Sequence, residues 1–446
     1  MKNFAKAGET FLTRSPAFLF RKRGPMSTII EALQKGSVPP HIPQLSEAES
    51  IHPSQFIQSI INGHVVVPRN NRHWALTPVA IGRDTRVKIN ANIGTSPASC
   101  DFENEIQKLE AAISAGADAI MDLSIAGNSS AFRKHIIKEF DITLGTVPIY
   151  DAMIGLDNSD KLTFSHFLRT MEKQAEEGVD FMTIHAGLLS KHLPLIEKRV
   201  LGVVSRGGAI LAQWMKHQKK ENFLYAYFDE ILAVANTYDI TLSLGDGLRP
   251  GCTHDANDAA QFGELETIGE LVQRCRAANV QVMVEGPGHV PLNLIEENVR
   301  KEKELCDGAP FYVLGPLVID YAAGYDHISG AIGGALAGMF GADFLCYVTP
   351  AEHLRLPTIE DVHEGVIASK IAAAAADLAR KRPAAISRNL EMSKARRRFD
   401  WDAQEGLSID KNKFSRYLEK VGTESPGAKN DLPCTMCGEW CAMKRL

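Results

Sequence analysis

Residues 87–94 read VKINANIG, an apolar run that closes on polar residues and a glycine, and the recurrence of this pattern decides the fold. AIMDLS (119–124), TVPIY (146–150), FMTIHAG (181–187), GVVSRGG (202–208), TLSLGDG (241–247), QVMVEGPG (281–288), YVLGPL (312–317) and FLCYVTP (344–350) repeat it. Near-continuous apolar runs of this length suit strands buried on both faces. Most are separated by stretches with apolar residues at i, i+3, i+4 and i+7, such as ENEIQKLEAAISAGA and FDEILAVANTY. This alternation predicts parallel strands joined by crossover helices, and its eight or nine units favour an α/β, (β/α)8 TIM-like barrel over an open sheet. No GxGxxG or GxxxxGK[ST] follows the first run, which argues against a Rossmann or P-loop fold.

Working outward, the barrel is expected over 81–380, ending in the Ala-rich helix EDVHEGVIASKIAAAAADLARK. A small N-terminal region (27–80) precedes it. A helical segment and Gly/Pro/Ser linker (381–433) and a cysteine-bearing tail (434–446) follow it. Residues 1–26 form a basic extension with six Lys or Arg against one Glu. It reads either as a transit peptide or as sequence ahead of an alternative start at Met26. The 446 residues are 45% hydrophobic and 23% charged, with a net charge of −5. Those values exclude intrinsic disorder and argue against nucleic acid as a partner. No apolar run approaches a membrane span, and the eight cysteines lie in a long chain without a secretory signal. A cytoplasmic, reducing location is therefore expected.

Barrel enzymes carry their sites at the C-terminal ends of the strands. Asn92, Asp122, Tyr150, His185, Ser205-Arg206-Gly207, Asp246-Gly247-Leu248-Arg249, Glu285, His289 and Tyr312 all fall at or near run ends, which points to a polar small-molecule pocket. The two Arg-Gly segments suit phosphate recognition, through a bidentate guanidinium and close backbone N–H groups, or are ordinary turns. His289 and His353 follow two run ends. They are a candidate divalent-metal pair or two polar loop residues. Cys434, Cys437 and Cys441 form CX2CX3C. Three thiolates suit a four-iron cluster with one open iron, a zinc tail lacking its fourth ligand, or redox cysteines. Cys100, Cys252, Cys275, Cys306 and Cys346 read as packing residues.

The segments KINANIG, GTVPIYDA, TIHAG, VSRGG, SLGDGLRPG, VMVEGPGHVP, GYDHI, LCYVTPAEHL and the terminal CTMCGEWCAMK resemble, in order over about residues 60–441, the phosphomethylpyrimidine synthase (ThiC) family. The resemblance implies a radical S-adenosylmethionine lyase acting on 5-aminoimidazole ribotide. It implies a [4Fe-4S] cluster on Cys434, Cys437 and Cys441, and zinc or iron on His289 and His353. The substrate contacts it implies are Asn92, Met121, Tyr150, His185, Ser205, Arg206, Gly207, Asp246, Gly247, Leu248, Arg249, Glu285 and Tyr312. Among these, Asp246, Glu285 and His185 are the candidates for proton transfer. A homodimer, a flavodoxin or ferredoxin reductant, and a tail that covers the barrel mouth are further expectations of the resemblance.

The family has two outcomes, the pyrimidine phosphate of thiamin and the 5-hydroxybenzimidazole of anaerobic cobamides. This chain lacks the large N-terminal domain of long members. It reads VPRNNRH (67–73) for the usual IPANxNH, and IDYAAGYDHI (319–328) for TDIAPGYDHI. On that likeness the reading leans to the benzimidazole, with the pyrimidine as the alternative. A non-catalytic, zinc-tailed ribotide-binding barrel is the second alternative.

Overall fold

The computed structural model describes residues 27–419, 433–434 and 436–445. The basic extension and most of the linker lie outside the described residues. Two short strands, β1 (Val65–Val66) and β2 (Ile81–Gly82), pair antiparallel in the N-terminal region. Eight parallel strands then close a barrel: β3 (Lys88–Ile93), β4 (Ala119–Asp122), β5 (Thr143–Thr146), β6 (Phe181–Ile184), β7 (Thr241–Leu244), β8 (Val282–Gly286), β9 (Phe311–Leu314) and β10 (Phe344–Cys346). Closure is between β10 and β3, with Phe344 opposite Lys88. The expected barrel fold is what the chain forms.

Side-chain caps start many of the crossover helices. Asp101, Asn128, Thr163, Ser205 and Asp258 each accept a hydrogen bond from a backbone N–H of the first turn. The apolar faces of these helices bury against the outside of the strands in one continuous core. Inside the barrel, Phe344 packs on Tyr312 at 4.4 Å between ring centroids and on Phe181 at 6.3 Å. This aromatic layer floors the space above it.

The N-terminal region has its own small core of Ile29, Leu33, Ile42, Phe56, Ile60, Val65, Val67 and Ala80. It docks on residues that lie just before β6, β7 and β8. Asn70 N–H donates to Asp180 (2.9 Å), Ile29 N–H to Asp239 (2.9 Å) and Val67 N–H to Gln281 (2.7 Å). Lys88, at the start of β3, reaches Glu49 at 2.7 Å. The N-terminal end of the barrel is therefore covered, and the mouth at the C-terminal ends is left for chemistry. Among the described residues, no helix is long and apolar enough to cross a membrane.

Two expected strands are corrected. GVVSRGG is a loop followed by the first turn of a helix, Arg206–Gln218. Val204 within it, and Val200 and Leu201 just before it, are exposed, so its apolar content is not buried between two helical layers. In TVPIY only Thr146 is strand. Val147 and Pro148 turn the chain into the short helix Pro148–Ala152, because a proline suits the first helical turn and lacks the N–H a central strand needs.

Candidate active site

The pocket at the barrel mouth is lined by Asn92, Met121, Leu123, Val147, Tyr150, Thr183, His185, Asp246, Arg249, Glu285, Gly286, Tyr312, Val313, Leu314 and Cys346. Eight of the thirteen expected contacts lie here. An adjoining cavity of about 410 Å³ shares Asn92, Tyr150 and Arg249 and extends to Arg206, Thr349, Glu352 and His353. Ser205, Gly207, Gly247 and Leu248 line neither. They shape the backbone beside the pocket.

That backbone makes an anion cradle. Ser205 Oγ accepts from Gly208 N–H (3.1 Å) and opens a 13-residue helix whose N-terminus lies beside the His185 ring and Tyr150. The helix dipole places roughly half a positive charge at that end. Arg206 lies over the Tyr150 ring at 4.7 Å. Gly208 touches the Gly247 backbone so closely that a Cβ would fall 2.3 Å from the Gly247 oxygen. A side chain would push apart the two segments that carry the arginines. Arg199, which sequence reasoning missed, fixes the second segment. Its buried guanidinium donates to Leu248 O (2.6 Å) and pairs with Asp258 (2.7 Å).

The titratable groups are buried with few counter-charges. Burial, with a smaller push from Arg249, lowers the His185 imidazole to about 3, so this ring is neutral at physiological pH. Burial raises the Asp246 carboxyl well above its ordinary range. Arg249, 3.4 Å away, opposes the shift, while Glu285 and Glu264 add to it. Burial also raises Glu285, against hydrogen bonds from Thr183 Oγ1 (2.6 Å) and Ser243 Oγ (2.9 Å). Two interacting carboxyl groups raised by burial suit proton transfer.

Cys346 is buried in the core, as expected of a packing residue, and also lines the pocket, accepting from Asn92 Nδ2 at 3.1 Å. Cys100 departs from the packing expectation, since it is exposed. Cys252, Cys275 and Cys306 are buried. Asn90 was missed altogether. It lies one turn of the pleat below Asn92 and donates to Tyr312 Oη (2.7 Å) and Asn92 Oδ1 (2.8 Å).

At the rim, the His289 and His353 rings stand 5.2 Å apart between centroids. Asp320 holds His289 Nδ1 at 2.9 Å and Asp326 holds His353 Nδ1 at 3.1 Å. Carboxylate–imidazole pairing of this kind fixes the tautomer and leaves Nε2 for a metal. His353 adopts left-handed backbone (φ 61°). The donor set therefore fits one divalent ion.

The tail departs from expectation. Cys434 lies in an apolar groove against Ile328, Ile367, Ile371 and Phe414, and Arg397 donates to Met443 O at 2.7 Å. Cys434 thus lies on the barrel flank and Met443 against the helix Pro383–Arg397, Cys437 and Trp440 are exposed, and no described tail residue lines the mouth. Among the described residues no three metal-ligating side chains converge. The tail's fit to a cluster rests on its donor chemistry. Cys434 is in irregular backbone, Cys437 stands immediately before a 3-10 turn (Gly438–Trp440) and Cys441 immediately after it, with Cys441 N–H bonded to Gly438 O and Gly438 N–H to Cys434 O.

The geometry is that of a (β/α)8-barrel enzyme with its polar site at the C-terminal ends of the strands. The chain belongs to the radical SAM ThiC family, whose model matches residues 28–446. It is 49% identical to a phosphomethylpyrimidine synthase of Desulfotalea psychrophila, over 94% of this chain and 96% of that one. Phosphomethylpyrimidine synthases of Thermodesulfovibrio yellowstonii (48%, covering 94% and 98%) and Moorella thermoacetica (49%, covering 94% and 97%) are similarly close. The family uses S-adenosylmethionine and an iron–sulfur cluster. The share of each relative that is covered also removes one ground for the benzimidazole reading, because these pyrimidine synthases are no longer than this chain.

Proposed function

We propose that this enzyme converts 5-aminoimidazole ribotide to the hydroxymethylpyrimidine phosphate of thiamin. This replaces the benzimidazole product favoured by the short form and the two altered segments. The observation that carries the proposal is where those segments lie. Arg69 and Arg72 belong to the N-terminal region, in a loop whose Asn70 docks on Asp180, remote from the mouth. Ile319, Tyr321 and Ala323 line neither cavity, and Tyr321 is 87% exposed. The residues that hold the histidine pair, Asp320 and Asp326, keep the usual type. The pocket thus carries none of the departures, and close relatives carry the pyrimidine name.

In this reading the phosphate of the ribotide lies against the N-terminus at Ser205–Gly208 with Arg206, and Arg249 orients the sugar. Asn92 and Tyr312 position the ring, with Asn90 fixing both. Cys434, Cys437 and Cys441 would hold the [4Fe-4S] cluster, which with S-adenosylmethionine supplies a 5′-deoxyadenosyl radical. His289 and His353 would hold one zinc or iron. Asp246 and Glu285 give and take protons as bonds in the ribotide break and reform, and neutral His185 serves as a hydrogen-bonding group. The pocket walls keep bulk water from reactive carbon centres. A homodimer and a flavodoxin or ferredoxin reductant complete the proposal.

Expressed in an anaerobic host lacking its own pyrimidine synthase, the gene is expected to restore growth without added pyrimidine. Growth that still requires pyrimidine, with the protein folded and iron-loaded, would exclude the thiamin assignment.

A further inference from the structure

Behind the pocket lies a second, smaller space that the proposed reaction does not use. It measures about 20 Å³ and is lined by Asp246, Gln261, Glu264, Leu265, Ile268, Glu285, Gly286, Pro287, Asn298 and Phe311. Three carboxyl groups therefore border one cavity with room for a single water. Glu264 comes from the helix Ala259–Ala277 on the outside of the barrel, and its side chain reaches inward. Its Oε2 accepts from Leu248 N–H at 2.6 Å. Its Oε1 lies beside the Gly247 backbone and finds no partner in hydrogen-bonding geometry, and the same holds for Asp246 Oδ2. Unpaired buried polar atoms cost roughly 1–3 kcal/mol each, so two beside one water-sized cavity ask for a bridge.

We propose that Glu264 is a positioning residue that stores a proton for the active site and delivers it to Asp246 through one water held in this cavity. The inference rests on the proposed ribotide chemistry and assigns it a proton source. Glu264 Oε1–H gives its proton to the water, and the water gives another to the Asp246 carboxylate. Glu264 is left ionised, Asp246 neutral, and the water unchanged. The proton returns by the same route when Asp246 is protonated from solvent through the open mouth.

The surroundings agree with a neutral resting Glu264. Burial raises its carboxyl to about 8, opposed by the Leu248 and Gly247 backbone and by Arg199 and Arg249. Arg199 is spent on Asp258, and Arg249 on Asp246. The other charged groups facing this side are Asp246 and Glu285, both anionic when ionised, and His192, next to Gly263, which burial keeps neutral. A group protonated below about 8 supplies a proton at neutral pH and ceases to do so as pH rises past that value.

The test compares the holoenzyme with its Glu264→Gln variant, whose amide oxygen still accepts from Leu248. The wild-type-minus-Glu264→Gln infrared difference spectrum at neutral pH should contain the carbonyl band of one buried, protonated carboxylic acid. That band should titrate near pH 8. The variant's kcat should fall about 100-fold with KM within roughly twofold; kcat of the wild type should fall on the alkaline side near pH 8, and that fall should be absent in the variant. Glu264→Ala, which also frees Leu248, should raise KM as well. Absence of the band from that difference spectrum, or wild-type kcat across the pH range in the variant, would overturn the proposal. The infrared result stands whatever product the enzyme makes, so failure of the thiamin reading is separable from failure of this one.

Discussion

A Cys437→Ala protein is expected to fold normally, to lose its cluster iron and sulfide, and to lose 5′-deoxyadenosine formation by more than about 1000-fold. With two thiolates instead of three, the tail no longer supplies the usual protein ligand set for an open-iron cluster. The fold should be indifferent because Cys437 is exposed and belongs to neither hydrophobic core. A change within about 0.5 kcal/mol is expected for such a surface position. The rim pair gives an internal control. Cys437→Ala should retain one divalent metal per chain, and His289→Ala should lose that metal while keeping the cluster iron. Metal analysis and the iron–sulfur absorption band read both outcomes. Full iron content and turnover in Cys437→Ala would refute the assignment of the tail.

Arg133→Ala is expected to destabilise the fold by about 3–5 kcal/mol. Arg133 is among the largest fully buried side chains, and its guanidinium meets Glu177 at 2.8 Å, Asp151 at 3.0 Å and Asp122 at 3.4 Å. Removing one cation strands three carboxylates in a dry site, and breaking a buried network of this kind carries a cost of that order. The consequence reaches the pocket. Asp122 ends β4 directly after Met121, and Asp151 follows Tyr150 on the short helix after β5. Arg133 thus ties together the two segments that deliver Met121 and Tyr150, and substrate KM should rise in the variant. Equilibrium urea unfolding measures the first effect. The deficit should shrink on acidification, since protonated carboxyl groups no longer repel one another. A loss below about 1 kcal/mol at neutral pH would contradict the account.

The barrel was legible because burial on both faces leaves a local mark. VKINANIG and its repeats place eight strands to within a few residues, and the polar residues after them fall at the mouth. The two misread strands share a cause. Val203 and Val204, like Val147 and Ile149, are apolar beside a helix N-terminus, and periodicity alone does not separate such a turn from a buried strand.

Glu264, Arg133 and Arg199 were illegible for a different reason. Each is a charged residue whose neighbours in sequence look like ordinary amphipathic helix or loop, and only the crossover geometry turns it inward. Asp320 and Asp326 lie in a segment that sequence reading treated as a departure, whereas their function is to hold the histidines. Cys346 looked like packing because apolar neighbours surround it, yet as the last residue of β10 its thiol reaches the pocket.

Under the proposed function this barrel rearranges aminoimidazole ribotide to the thiamin pyrimidine. Mass spectrometry of the product formed anaerobically from the ribotide and S-adenosylmethionine by the iron-loaded, reduced enzyme decides it. Hydroxymethylpyrimidine phosphate together with 5′-deoxyadenosine is expected. 5-Hydroxybenzimidazole as the product, or no turnover at all from a protein whose tail carries a single tightly bound zinc, would contradict it.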